Sequence, residues 1–143
     1  MKYILMFVMV VFVVGIILVF TKKSAHAPVI MYSQPVQYKD VVYIERPLPN
    51  TQVKSPLLVS GRARGNWYFE GSFPVKLLDG NGNVLALAPA QAQSEWMTTE
   101  YVPFSVSLTF PTSTTATGTL ILQKDNPSGD PQFDDSVLIP VTF

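Results

Sequence analysis

Sixteen of the 17 residues from Ile4 to Phe20 are apolar, with Gly15 the exception, and the run shows no alternation of any period. As a helix at about 1.5 Å per residue it spans about 26 Å, just short of a hydrocarbon core of about 30 Å. Lys2, Lys22 and Lys23 can snorkel across the difference. The pattern therefore predicts one N-terminal transmembrane helix within residues 1–23, meeting the membrane through residues 4–20. A cleaved signal peptide is the alternative, because Ala25-His26-Ala27 fits the small-x-small pattern before a cleavage site. Against it stand the length of the run, the two lysines that follow at once, and Pro28 at the position after the cut. The amino terminus with Lys2 balances Lys22 with Lys23, so positive charge alone sets no orientation. Sparse charge before the helix and a large polar part after it fit an N-inside, C-outside signal anchor, with the domain expected outside the cytoplasm.

After Phe20 the pattern changes. Five prolines, Pro28, Pro35, Pro47, Pro49 and Pro56, fall between Ser24 and Pro56 without helical periodicity. Residues 24–40 read as an extended tether and residues 41–143 as the domain. Val41 to Ile44 predicts a short edge strand. Leu57, Val59, Gly61 and Ala63 alternate with Leu58, Ser60, Arg62 and Arg64, which places both arginines on one wet face. Phe104, Val106, Leu108 and Phe110 alternate with Ser105, Ser107 and Thr109 in the same way. Phe73 to Leu78 and Val84 to Leu87 flank Asp79-Gly80-Asn81-Gly82-Asn83, a hairpin signal. Thr119 to Lys124 and Ser136 to Phe143 predict two further strands around a prolyl connection, and Ala86 to Gln93 is alanine-rich enough for a short turn. Six or seven short strands in about 100 residues predict an all-β, immunoglobulin-like two-sheet sandwich. Its core has 11 aromatic residues to draw on and no disulfide, with Trp67 and Phe69 expected at its centre.

Charge and composition narrow the chemistry. Residues 28–143 carry 7 basic and 10 acidic side chains, which argues against nucleic acid as a partner. The absence of cysteine excludes a thiol nucleophile, a Cys-based metal site and a lipid-modified cysteine anchor. His26, the single imidazole, lies in the tether, so no Ser-His-Asp set is available in the domain. Asp79, Asn81 and Asn83 sit at alternate positions as in a calcium loop, but Val84 replaces the required Gly and Ala90 the required Glu. Asp134 and Asp135 point to opposite faces if they begin the last strand. The chain is expected to be no enzyme and to need no cofactor or metal.

Ser55-Pro56-Leu57, the run from Gly61 to Val75 (GRARGNWYFEGSFPV), Trp96-Met97-Thr98, Val102-Pro103-Phe104 and Lys124-Asp125-Asn126-Pro127-Ser128-Gly129 occur in this order. Together they resemble the immunoglobulin-like domain of bacterial spore germination proteins, over about residues 41–143. The resemblance implies a bacterial, extracytoplasmic β-sandwich, found beside a germination domain or alone behind an anchor, and it brings no ligand or catalytic residue with it. This chain reads as the membrane-anchored stand-alone form.

Candidate partner-binding residues follow from exposure and chemistry. Arg62 and Arg64 could grip a carboxylate or phosphate, or form an ion pair with Glu70 in the next strand. Tyr68 and Trp96 could stack on a glycan or peptide, and the loop with Asn126 and Ser128 could present polar groups. The expected function is a non-catalytic binding or structural module, tethered outside the bacterial membrane, whose partner is an envelope protein or a cell-wall polymer. The alternative is an accessory subunit of a membrane complex, engaged mainly through its transmembrane helix. Oligomeric state stays open.

Overall fold

Strict alternation of small apolar and polar residues makes Leu57–Arg64 a strand with one dry face, and in the computed structural model Leu57, Val59, Gly61 and Ala63 are buried. The structure describes residues 34–143; the predicted transmembrane helix and most of the tether lie outside the described residues. Among the described residues there are nine strands: β1 (Val36–Tyr38), β2 (Val42–Arg46), β3 (Thr51–Gln52), β4 (Leu57–Arg64), β5 (Ser72–Asp79), β6 (Val84–Ala92), β7 (Tyr101–Leu108), β8 (Thr117–Gln123) and β9 (Ser136–Thr142). They are hydrogen-bonded in the order β1-β2-β4-β7-β6-β5-β8-β9-β3, antiparallel except for β3 beside β9.

The connection between β6 and β7 is only two residue pairs long, Gln91 with Ser105 and Ala92 with Phe104. The sheet folds there into two arms, β1-β2-β4-β7 and β6-β5-β8-β9-β3. Their inner residues enter one core, and Phe73 of one arm meets Phe104 of the other edge-on at 4.9 Å. Lys39, in the β1–β2 turn, pairs with Asp135 just before β9, so elements far apart in the strand order lie close in space. This is the two-layer, all-β sandwich that the alternation predicts.

Four local expectations need correction. Val36–Tyr38 form a strand, so the sheet takes in the last residues of the stretch read as tether, and β2 is covered by β1 rather than lying at the edge. Ala86 to Gln93 is mostly strand rather than a short turn. Pro89 cannot continue a helix and pushes Ala88 toward extended backbone, and β6 pairs on one side only at that level, where a missing N–H is tolerated. Phe69 is 40% exposed, whereas Trp67 is 1% exposed. The reason is that Gly65–Trp67 is a 3-10 turn, not strand, which breaks the period of two. The last strand does start at Ser136, as its pattern predicts, so Asp134 and Asp135 precede it, and a short 3-10 turn, Pro131–Phe133, leads into them.

Trp67, Tyr68, Phe73 and Phe104 make a chain of edge-on aromatic contacts, 4.9 to 6.4 Å between ring centres, through the middle of the core. Gly61, opposite Phe104 in the register, has no room for a side chain. A Cβ there collides with the Tyr43 carbonyl and comes within 3.0 Å of the Phe104 ring. The indole N–H of Trp67 is buried without a hydrogen-bond partner among the described residues.

Trp67→Ala is expected to lower the unfolding free energy of the purified chain by about 3–5 kcal/mol. Trp67→Phe should cost clearly less, since it removes the unpartnered donor along with part of the ring. Denaturant unfolding checks both, and a Trp67→Ala midpoint equal to that of the parent would place the indole outside the core. Gly61→Ala is expected to cost about 1–3 kcal/mol or more in the same assay, because the obstructing atom is backbone.

Candidate functional site

The wet face of the β1-β2-β4-β7 arm carries an alternation of rings and guanidinium groups. Tyr43, opposite Arg62 in the register, lies 4.8 Å from Tyr101, which is opposite Arg64, with the two rings at 70°. The Arg64 guanidinium sits 4.0 Å above the Tyr101 ring and that of Arg62 5.3 Å above Tyr43. Arg64 is tied down on several sides. Its Nη2 donates to Asp40 Oδ2 at 3.2 Å, its Nε to the Asp40 carbonyl, and its Nη1 to the Thr99 carbonyl. The Tyr101 hydroxyl donates to Asp40 Oδ1 at 2.9 Å. Asp40 is held there by a left-handed turn, with φ of 49° at Lys39 and 54° at Asp40.

Arg62 is freer. It is 3.8 Å from the Glu45 carboxylate, and both side chains are nearly half exposed, so this pair adds little stability. The ion pair expected between these arginines and Glu70 does not form. Glu70 is not in a strand but in the turn Phe69–Ser72, with φ of 49°. The carboxylates that Arg62 and Arg64 meet come from β2 and from the β1–β2 turn, because strand order rather than chain order decides which side chains meet.

Three connections meet at the end of the sandwich that holds this turn. The Gly65 amide donates to the Glu100 carbonyl, Ala92 to that of Gly71, and Asp125 to that of Trp67. Gly71 (φ 76°) lies against the Trp96 indole, which is half-buried and forms the floor of the cluster. Tyr68 is not a stacking platform. It is buried, its hydroxyl donates to the Val102 carbonyl at 2.8 Å, and burial pushes that hydroxyl above the usual phenol range. Asn126 and Ser128 occupy an exposed loop that satisfies itself. Asn126 Nδ2 donates to the Asp130 carbonyl and to Asp134 Oδ1, each at 2.8 Å, while Ser128 Oγ donates to Asn126 Oδ1 at 2.6 Å.

At the opposite end the Asp79 carboxylate accepts from the backbone N–H of Asn81 and Asn83, and from Asn83 Nδ2, at 2.8–2.9 Å. The spacing that resembles a calcium loop is thus an Asx-type hairpin turn with the carboxylate facing its own backbone. The Asn83 amide, with the backbone donors behind it, holds the Asp79 carboxyl below the usual carboxylate range. Asp40 is held low chiefly by the Tyr101 hydroxyl and then by Arg64. Among the described residues no three His, Cys, Asp or Glu side chains converge as metal ligands. Asp40 and its turn are what sequence reasoning missed. Lys39-Asp40, between two short apolar segments, is a turn signal that could have found them.

Both lowered carboxyls contribute stability that is fully present above the ordinary carboxylate range of about pH 4 and is lost as pH falls through their depressed folded values. Acid unfolding followed by tryptophan fluorescence is therefore expected to flatten below about pH 4 in the double variant Asp40→Asn, Asp79→Asn. A profile parallel to that of the parent would mean that neither group is held low. Arg64→Ala is expected to lower the melting temperature more than Arg62→Ala, because only Arg64 is both stacked and bonded on several sides.

The sequence comparisons are consistent with this architecture. No curated protein and no solved structure matches the chain. Residues 41–130 match the family Gmad2, described as the immunoglobulin-like domain of bacterial spore germination. That match spans β2 through β8 and the first part of the loop after it, and it includes the buried Trp67, the Phe73–Phe104 contact and both arginines of the wet face. The chain belongs to this family of bacterial spore germination immunoglobulin-like domains.

Proposed function

We propose that the chain is a non-catalytic binding or structural module, held on the bacterial cytoplasmic membrane by residues 4–20 and displayed outside it. Its partner in this reading is another envelope protein or a cell-wall polymer. The observation that carries it is the disposition of polar side chains on the sandwich. Among the described residues, the carboxylates that make close contacts are engaged by arginine, lysine, tyrosine, asparagine, glutamine or backbone N–H groups, and so serve to fasten strands and loops. What the domain offers instead is presentation: a flat wet sheet face, and a set of loops fastened to one another at one end. Family membership supports the accessory-module part of the reading. The apolar run from Ile4 to Phe20 supports the tether.

A chain without cysteine allows a clean test of topology. Thr114, exposed in the β7–β8 connection, is a better label site than its neighbour Ser113, whose hydroxyl bonds Thr115. With Thr114→Cys, a membrane-impermeant maleimide applied to intact cells is expected to label protein that fractionates with membranes. Labelling that appears only after lysis, with full reaction of the denatured control, places the domain in the cytoplasm and overturns the reading.

A further inference from the structure

The carboxylates of this chain are gathered at one end of the sandwich. Eight of its ten Asp and Glu residues lie on four connections, β1–β2, β4–β5, β6–β7 and β8–β9. Those connections leave the same end, because the register sets Val42 beside Ala63, Ala63 beside Val102, Ser72 beside Gln91, and Gln123 beside Ser136. The same end holds Lys39, Arg64 and Lys124, and Lys76 reaches it from β5 to share a pocket with Asp134 and Asp135, giving a net charge of −4. Asp40 and Asp135 are neutralised by Arg64 and Lys39. The other six, Glu70, Glu95, Glu100, Asp125, Asp130 and Asp134, have no ion pair among the described residues.

Large apolar side chains stand out from the same loops. Phe69 on β4–β5 is 40% exposed, Met97 on β6–β7 is 73% exposed and Phe133 on β8–β9 is 51% exposed. A single exposed apolar residue is ordinary. Here there is one on each of three connections, and the β4–β5 connection is bonded through backbone to the other two. Docking on such fastened loops costs little ordering entropy. Phenylalanine and methionine are residues that interfaces favour, and methionine adapts its shape to what it meets. The surrounding field repels phosphate-bearing polymers and anionic headgroups and draws in cations.

From this juxtaposition we propose that the loop end of the domain docks a polypeptide segment that combines lysine or arginine with apolar side chains. The apolar groups seat on Phe69, Met97 and Phe133, and the cations face the unpaired carboxylates around them. The proposal rests on the reading of the chain as a binding module and is independent of the anchor and its orientation.

The test uses the full chain in uncharged detergent micelles and a short fluorescent peptide alternating lysine and leucine, with empty micelles subtracted. Saturable binding that weakens as salt is raised is expected. Phe69→Ser combined with Phe133→Ser should weaken it roughly tenfold, and Glu70→Gln with Glu100→Gln should weaken it and flatten its salt dependence. Leu87→Ser, at a 60% exposed position on the outer face of β6, should leave it unchanged. All these side chains are exposed, and an unaltered thermal melt shows that each variant is folded. No binding, equal binding by the parent and the loop variants, or equal loss in Leu87→Ser overturns the proposal. So does binding of a glutamate–leucine peptide, a poly(glycerol phosphate) or anionic vesicles as tightly as the lysine peptide. The topology experiment stands or falls separately from every one of these outcomes.

Discussion

The edge-on contact between Phe73 and Phe104 is the point on which the two arms of the sheet depend. The chain has no disulfide to staple its layers, and the hydrogen-bonded seam between the arms is two residue pairs long. Cohesion therefore comes from burial of apolar surface, and the aromatic chain from Trp67 to Phe104 supplies a large, directional share of it. Gly61 makes that geometry possible, since a side chain there would collide with the Tyr43 carbonyl and crowd the Phe104 ring. The flanking layers are aliphatic. Val59, Val75, Leu77, Leu120, Leu122 and Ile139 are fully buried and close the core on either side of the rings.

Much of this was legible as period. The alternations at Leu57–Arg64 and around Phe104 mark faces that need no knowledge of the neighbours, and Asp79 to Asn83 announces its turn through glycine and asparagine. Features set by the third dimension were not legible. Trp67 and Phe69 are two apart and share a face in any strand, yet a single 3-10 turn buries the first and exposes the second. The same turn sends Tyr68 inward, where its hydroxyl finds a carbonyl. A three-residue strand among prolines carries too little pattern to stand out, which is why β1 hides in an apparent tether.

The candidate site shows the same division. That Arg62 and Arg64 share a wet face follows from their spacing. Which carboxylate each one meets depends on β2 lying between β1 and β4, and on a left-handed turn that carries Asp40 over the Tyr101 ring. Asn126 and Ser128 were picked out as loop residues, and they are, but their polar groups bond to their own loop and give it shape. Glu70 and Trp96 gain meaning from company rather than chemistry, since both belong to the connections that meet at one end of the domain.

The short strand β1 also has a mechanical consequence. It is the strand by which the chain enters the sheet, and it runs antiparallel to β2 from Val36 toward Tyr38. A pull on Val36 directed away from the loop end acts along the strand axis. Its three residue pairs with β2 then bear load together in shear, instead of opening one after another as a zipper does. The Lys39–Asp135 and Arg64–Asp40 pairs lie just beyond Tyr38 and act as a stop at the end of that track. Tension applied along that axis thus meets the edge strand in the direction in which it is hardest to strip.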